Sequence, residues 1–126
     1  MSNDFLNVFL NEMKTNVNGF IAVAVTEIES GLSFGNLTID PGFDPELAAA
    51  YNLEVVKAKL SAVKALGLNQ DIEDILITLS NQIHIIDISP NKKFMIYLAA
   101  DASKANLGMT RAILRKHKAE VEKNLA

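Results

Sequence analysis

The 126-residue sequence contains no cysteine. That excludes disulfides, thiol nucleophiles and thiolate metal sites, and is compatible with a reducing compartment. Arginine is confined to Arg111 and Arg115, which leaves little for reading base edges in DNA. Charge of one sign is also lacking: 12 basic against 15 acidic residues give a formal net charge of -3, too small a field to recruit nucleic acid. Long apolar runs are missing as well. The longest, Phe20 to Val25 and Phe94 to Ala100, fall far short of the ~20 residues that span a bilayer. The opening Met1-Ser-Asn-Asp has neither the basic start nor the apolar stretch of a signal peptide. The expectation is a cytoplasmic, soluble protein without membrane insertion or nucleic-acid binding.

What is present is a pattern of periodic segments. Hydrophobic residues make up 49% of the chain and charged ones 21%, a balance that suits one globular core. No repeat, low-complexity tract or long linker divides the sequence, so residues 1–126 read as a single domain. Phe5, Leu6, Phe9, Leu10, Met13 and Val17 recur at helical spacing, predicting a helix from Asn3 or Asp4 to about Asn16 that Gly19 ends. Phe20 to Ile28 reads as a strand, Glu29-Ser30-Gly31 as a tight turn, and Leu32 to Ile39 as the returning strand. Gly35 should weaken or bulge that second strand, which suits a sheet edge. Asp44-Pro45-Glu46 is a strong helix start, because Asp44 can cap, Pro45 fits the first helical position and Glu46 complements the dipole. This helix runs to Leu66, with Gly67 placed for a left-handed stop. Strands follow at Asp74 to Ser80, Ile83 to Ile88 and Phe94 to Ala100, and Ser103 offers the cap of a last helix to about Lys123. The order α-β-β-α-β-β-β-α with short turns implies a mainly antiparallel sheet with helices on its faces.

The middle helix has two apolar faces. At ~100° per residue, Ala49, Leu53, Val56, Leu60 and Val63 form one arc, and Ala48, Tyr51, Val55, Ala58, Ala62 and Leu66 form another. A surface helix needs only one such stripe. One arc must meet the protein's own sheet. The second meets either another helix of the chain or a second copy; helix-forming preference accounts for the alanines but not for Tyr51 and Val55. Ala48, Tyr51, Val55, Ala58 and Ala62 are therefore the expected dimer interface, with an isologous two-fold the simplest arrangement.

Chemistry is harder to find. His84 lies in a strand and His117 falls in register with Leu107, Leu114 and Val121; neither has a carboxylate or a second histidine at ligand spacing, so each reads as structural. Asp71, Glu73 and Asp74 lack the alternating array and turn glycine of a calcium loop and read as a solvated loop. Gly31-Leu-Ser-Phe-Gly35 opens no helix and cannot cradle a phosphate. The run Arg115-Lys116-His117-Lys118 reads as the cationic half of a helix. No catalytic, cofactor or metal residue is expected, and the chain reads as a non-enzyme.

The segments together resemble the Roadblock/dynein light chain family, its bacterial members above all. The residues that carry the resemblance are Gly19-Phe-Ile-Ala-Val-Ala-Val, the Glu29-Ser-Gly31-Leu-Ser-Phe-Gly hairpin, the alanine-rich middle helix, and Asn106-Leu107-Gly108 with Arg111, which matches the family's "n-l-g-x-x-r" helix opening. The resemblance implies a five-stranded antiparallel sheet with the middle helix on one face and the terminal helices on the other. It implies dimers whose middle helices pair and whose third strands join two sheets, binding of Ras-like small GTPases, or an adaptor role in motor complexes. The hairpin departs from the dynein subunits' Glu-Gly and proline pattern. Within this frame Asp101, Asn106 and Arg111 read as capping and junction residues, and Gly108 as a close approach of the last helix to the sheet. The competing reading is a profilin-like or PAS-like ligand-sensing domain, which needs a polar-lined cavity between sheet and helix.

Overall fold

The computed structural model describes residues 2–125, with side chains from Asp4 onward. Among these residues the elements are α1 (Ser2–Asn16), β1 (Phe20–Glu27), β2 (Ser33–Thr38), α2 (Pro45–Ala65), β3 (Asp74–Thr78), β4 (Gln82–Ile88), β5 (Phe94–Asp101) and α3 (Leu107–Leu125). The strands form one antiparallel sheet in the order β2-β1-β5-β4-β3. The hairpins β1–β2 and β3–β4–β5 follow from short turns, and β5 closes the sheet by pairing with both β1 and β4. A central strand so placed has water on neither face, which explains its unbroken run of apolar residues.

The alternation of side chains on β5 divides the core into two layers. Phe94, Ile96, Leu98 and Ala100 join Leu6, Phe9, Met13, Leu114 and Val121 from α1 and α3. Met95, Tyr97 and Ala99 face the other way, toward Ala49, Leu53 and Val56 of α2. The terminal helices thus share one face of the sheet and α2 lies alone on the other.

Several local features come directly from residue chemistry. Asp44 caps α2, its Oδ1 accepting from the backbone N–H of Glu46 and Leu47 at 3.1 Å each. At the far end Leu68 N donates to Val63 O and Gly67 N to Lys64 O, with Gly67 at φ +67°, the pair of bonds of a Schellman stop. β2 is an edge strand with a register break between Val25 and Thr26, whose partners are Gly35 and Ser33, so Phe34 is the bulged residue.

The start of α3 differs from the reading above. Asp101 Oδ1 accepts from both the N–H and the hydroxyl of Ser103, at 2.9 and 2.7 Å, so Ser103 is held in a turn rather than capping. The helix begins four residues later, where Asn106 Oδ1 accepts from Met109 N at 3.0 Å. Gly108 is exposed, and a Cβ there would meet only Asn106 Oδ1 at 3.8 Å; it makes no close approach to the sheet.

Two glycines give a graded prediction. Gly19 sits at φ +74°, and an added Cβ would stand 3.0 Å from both Asp101 O and Lys104 Cβ. Gly67 has a similar φ with open space around it. Gly67→Ala is expected to cost about 1 kcal/mol, the left-handed penalty alone. Gly19→Ala adds steric overlap with backbone and is expected to cost about 2–3 kcal/mol. Urea unfolding of both variants checks the order; equal losses would show that the α1–β1 junction can shift to make room.

Candidate functional site

α2 settles which of its two arcs meets the sheet. Ala49, Leu53 and Val56 are buried, and Leu60 and Val63 half-buried. At roughly 1.5–3 kcal/mol for each large side chain taken out of water, this arc accounts for the helix's attachment. The opposite arc points away from the protein. Tyr51 is 73% exposed, Leu66 69%, Leu47 55% and Val55 41%, Ala58 is exposed, and Ala48 and Ala62 are half-buried. Leu47, Tyr51, Val55, Ala58, Ala62 and Leu66 recur every three or four residues and so line one continuous seam along the whole helix. Leu47 was absent from the arc drawn from the sequence, although its position four residues before Tyr51 puts it on the same face.

The surface beside this seam is incompletely covered too. α2 lies closest to β1 and β2. On the β3–β4 half of the same sheet face, Ile75, Ile77 and His84 are only half-buried, and β3 presents a free edge. The helix seam and the half-buried strip of sheet lie on the same side of the molecule, the seam being the larger exposed apolar feature.

The polar groups of the molecule are mostly engaged elsewhere. On the α3 face, Asp74 and Asp87 stand directly opposite each other on β3 and β4, a like-charge pair that would be unfavourable alone. Arg111 answers one, its Nε and Nη2 donating to the two Asp74 oxygens at 2.9 and 3.0 Å. Lys118 Nζ answers the other, 3.2 Å from Asp87 Oδ1. Desolvation nevertheless raises the Asp87 pKa above the ordinary carboxylate value, with Lys118 opposing it. Asp74 is therefore a strand residue in a bidentate ion pair, not part of a solvated loop, and Arg111 ties α3 to the sheet edge rather than finishing a junction. Asp71 and Glu73, the other two acids of that group, meet Lys92 at 3.0 Å and Arg115 at 3.9 Å.

The two histidines are engaged in different ways. His117 is buried between α1 and α3, edge-on to Phe9 with ring centroids 5.6 Å apart, and its Nε2 lies 3.0 Å from Glu12 Oε2. That carboxylate was invisible to local spacing because it comes from α1. His84 sits on the α2 side of β4, with Nδ1 3.2 Å from the Tyr97 hydroxyl and Nε2 2.8 Å from Gln82 Oε1. Burial lowers the His84 pKa and pushes that of Tyr97 up. Among the described residues no group of three or more His, Cys, Asp or Glu is arranged to hold a metal, and no helix is long and apolar enough to cross a membrane.

The space between α2 and the sheet is filled by Ala24, Ile86, Met95, Tyr97 and Ala99 against Leu53 and Val56. A groove of about 750 Å³ opens instead at one end of the sheet, lined in part by Gly19, Gln82, Asp101 and Ser103. Among the described residues no buried side-chain nitrogen or oxygen lacks a hydrogen-bond partner.

Comparison with known proteins agrees with the architecture. A Roadblock/LC7 domain from Streptomyces avermitilis superposes with a TM-score of 0.80 at 13% identity, over 94% of this chain and 95% of that one. The chain has the Roadblock fold. Two further Roadblock-fold structures are as similar: Myxococcus xanthus MglB, at TM-score 0.81 and 15% identity over 96% and 94% of the two chains, and the gliding protein MglB of Thermus thermophilus, at 0.82 and 13% over 98% and 90%. No family model matches the sequence, and no curated protein is similar to it in sequence. The Roadblock fold thus stands here on a sequence far from its structural neighbours. Its five-stranded sheet, lone middle helix and paired terminal helices agree with what the sequence resemblance implied.

Proposed function

We propose that the chain is a non-enzymatic, homodimeric interaction module that binds a Ras-like small GTPase and modulates its nucleotide state. The observation that carries the reading is the seam Leu47–Tyr51–Val55–Ala58–Ala62–Leu66, exposed on a helix already anchored by its other face. A second copy is the partner of choice because Ala58 and Ala62 let two such helices approach toward the low end of the ~8–10 Å packing range. Pairing by a two-fold would also bring the β3 edges and the half-covered Ile75 and Ile77 together. Ala48 joins the interface at the margin of the seam.

The GTPase reading is supported by the family that the sequence resembles and by the fold shared with MglB. Arg111 is held by both oxygens of Asp74, which makes it a poor candidate for an arginine finger projecting into a nucleotide site. An effect on a GTPase would come from reshaping its switch loops. The chain immobilised and exposed to small GTPases of its source organism, loaded with GDP or a GTP analogue, is expected to retain one of them with a preference for one nucleotide state. Binding of none in either state would contradict the GTPase reading and leave the dimer standing.

A further inference from the structure

The β3–β4 strip on the α2 side of the sheet carries one titratable side chain among the described residues, His84, and burial favours its neutral form. Tyr97 is fully buried on β5, and its hydroxyl lies 3.2 Å from His84 Nδ1, placed to donate to it in the tautomer protonated on Nε2. Nε2 then carries the ring proton and donates to Gln82 Oε1 at 2.8 Å. A second ring proton would have to go on Nδ1, where the Tyr97 O–H now points. The tyrosine would have to turn its proton away into an apolar layer to accept instead.

Nothing nearby would compensate the resulting cation. Ile77 of β3 and Ala99 of β5 stand opposite His84 in the sheet. Phe43, from the segment before α2, packs edge-on to its ring with centroids 6.3 Å apart, and Tyr97 does so at 5.3 Å. Among the described residues Tyr97 is the one titratable group bonded to it, and no ion pair from β3, β4, β5 or α2 reaches it. Burial alone lowers its pKa, with no carboxylate opposing. In the single chain the ring is still only half-buried.

We propose that His84 makes self-association of this protein acid-sensitive: a second copy seated on the α2 seam and over the half-buried β3–β4 strip of the same sheet face encloses the imidazole, and protonation opposes that enclosure. The inference rests on the homodimer reading above. The sign follows from linkage. Enclosure lowers the pKa below that of the free chain, so the dimer is strongest above the free value and weakens as pH falls through it. Each dimer holds two copies of the group, so a further depression of half a unit at each can change the dissociation constant by up to about tenfold.

The test is sedimentation equilibrium of the whole chain at pH 7.5 and pH 5.5, for the wild type, His84→Gln, and His117→Gln as a control on the opposite face. The wild type and His117→Gln are expected to dimerise severalfold more weakly at the lower pH, and His84→Gln about equally at both. Circular dichroism at each pH confirms that the chains compared are folded. A wild-type constant unchanged with pH, or an undiminished pH effect in His84→Gln, would overturn the switch while leaving the dimer intact. A wild type monomeric already at pH 7.5 would overturn the homodimer and the switch with it.

Discussion

Ala58→Glu is expected to weaken dimerisation about 100-fold, close to 3 kcal/mol, while leaving the folding free energy of the single chain within about 0.5 kcal/mol. Ala58 lies on the outward arc of α2, where water reaches it, so the monomer has no reason to resist a carboxylate there. In an isologous pair two such carboxylates would face each other in a seam that excludes water, and neither finds a counter-ion among Tyr51, Val55 and Ala62. The contrast is Val56→Glu, two positions earlier on the inner arc and fully buried against Ile86 and Met95. That variant is expected to fail to fold, because the charge enters the core without a partner. Analytical ultracentrifugation and urea denaturation of both variants separate the two faces. An Ala58→Glu chain that unfolds, or that dimerises as the parent does, would remove the seam from the account.

Lys118→Met should cost about 2–3 kcal/mol at neutral pH. Its partner Asp87 is 3% exposed and Lys118 itself 19%, so the pair is mostly shielded from water and its loss leaves a buried carboxylate facing Asp74. The pH dependence gives the mechanism away. Asp87 already has a raised pKa in the folded chain, and removing the lysine raises it further. A group whose folded pKa exceeds its unfolded value favours folding below the unfolded value and loses that advantage as pH rises through the folded one. The deficit of Lys118→Met relative to the parent should therefore shrink as pH falls toward about 4. Adding Asp87→Leu to the lysine replacement should recover most of the loss at every pH, since an apolar pair can replace a buried ionic one. A deficit that stays constant with pH would mean that Lys118 acts through the packing of its aliphatic stem.

The sequence carried the element order and the double-faced character of α2, because each is written in periodicity that local residues enforce; the placement of α2 on one face and the terminal helices on the other came from the family resemblance. The two arcs of α2 were legible down to individual residues, since 21 helical positions average out any single misleading one. Leu47 escaped because it follows the capping turn, where polar Asp44 and Glu46 dominate the pattern. The start of α3 was misread for a competing local reason. Ser103 and Asn106 are both capping residues, and Asp101 captures the first in a turn before the helix can use it. What no local pattern could give were contacts between distant segments. Arg111 with Asp74, Lys118 with Asp87, and His117 with Glu12 join residues on different elements. Only the tertiary arrangement, with α3 laid over β3 and β4 and against α1, makes those acids and bases neighbours.

The ionic ties on the α3 face and the bare seam on the α2 face divide the molecule's work. Arg111 and Lys118 fasten α3 to the β3–β4 edge from one side. On the other face β4 buries Ile86 and Ile88 under α2, while Ile75 and Ile77 of the edge strand β3 stay half-buried. An edge strand held from behind can present its free side without loosening. This arrangement is compatible with the proposed assembly through the α2 side of the molecule.

The mass of the chain in solution tests that claim most directly. Sedimentation equilibrium at tens of micromolar and neutral pH should give twice the 13.7 kDa of the single chain, with Ala58→Glu returning the single-chain value. A wild-type protein that remains at 13.7 kDa under those conditions would contradict the assignment of the α2 seam to a second copy.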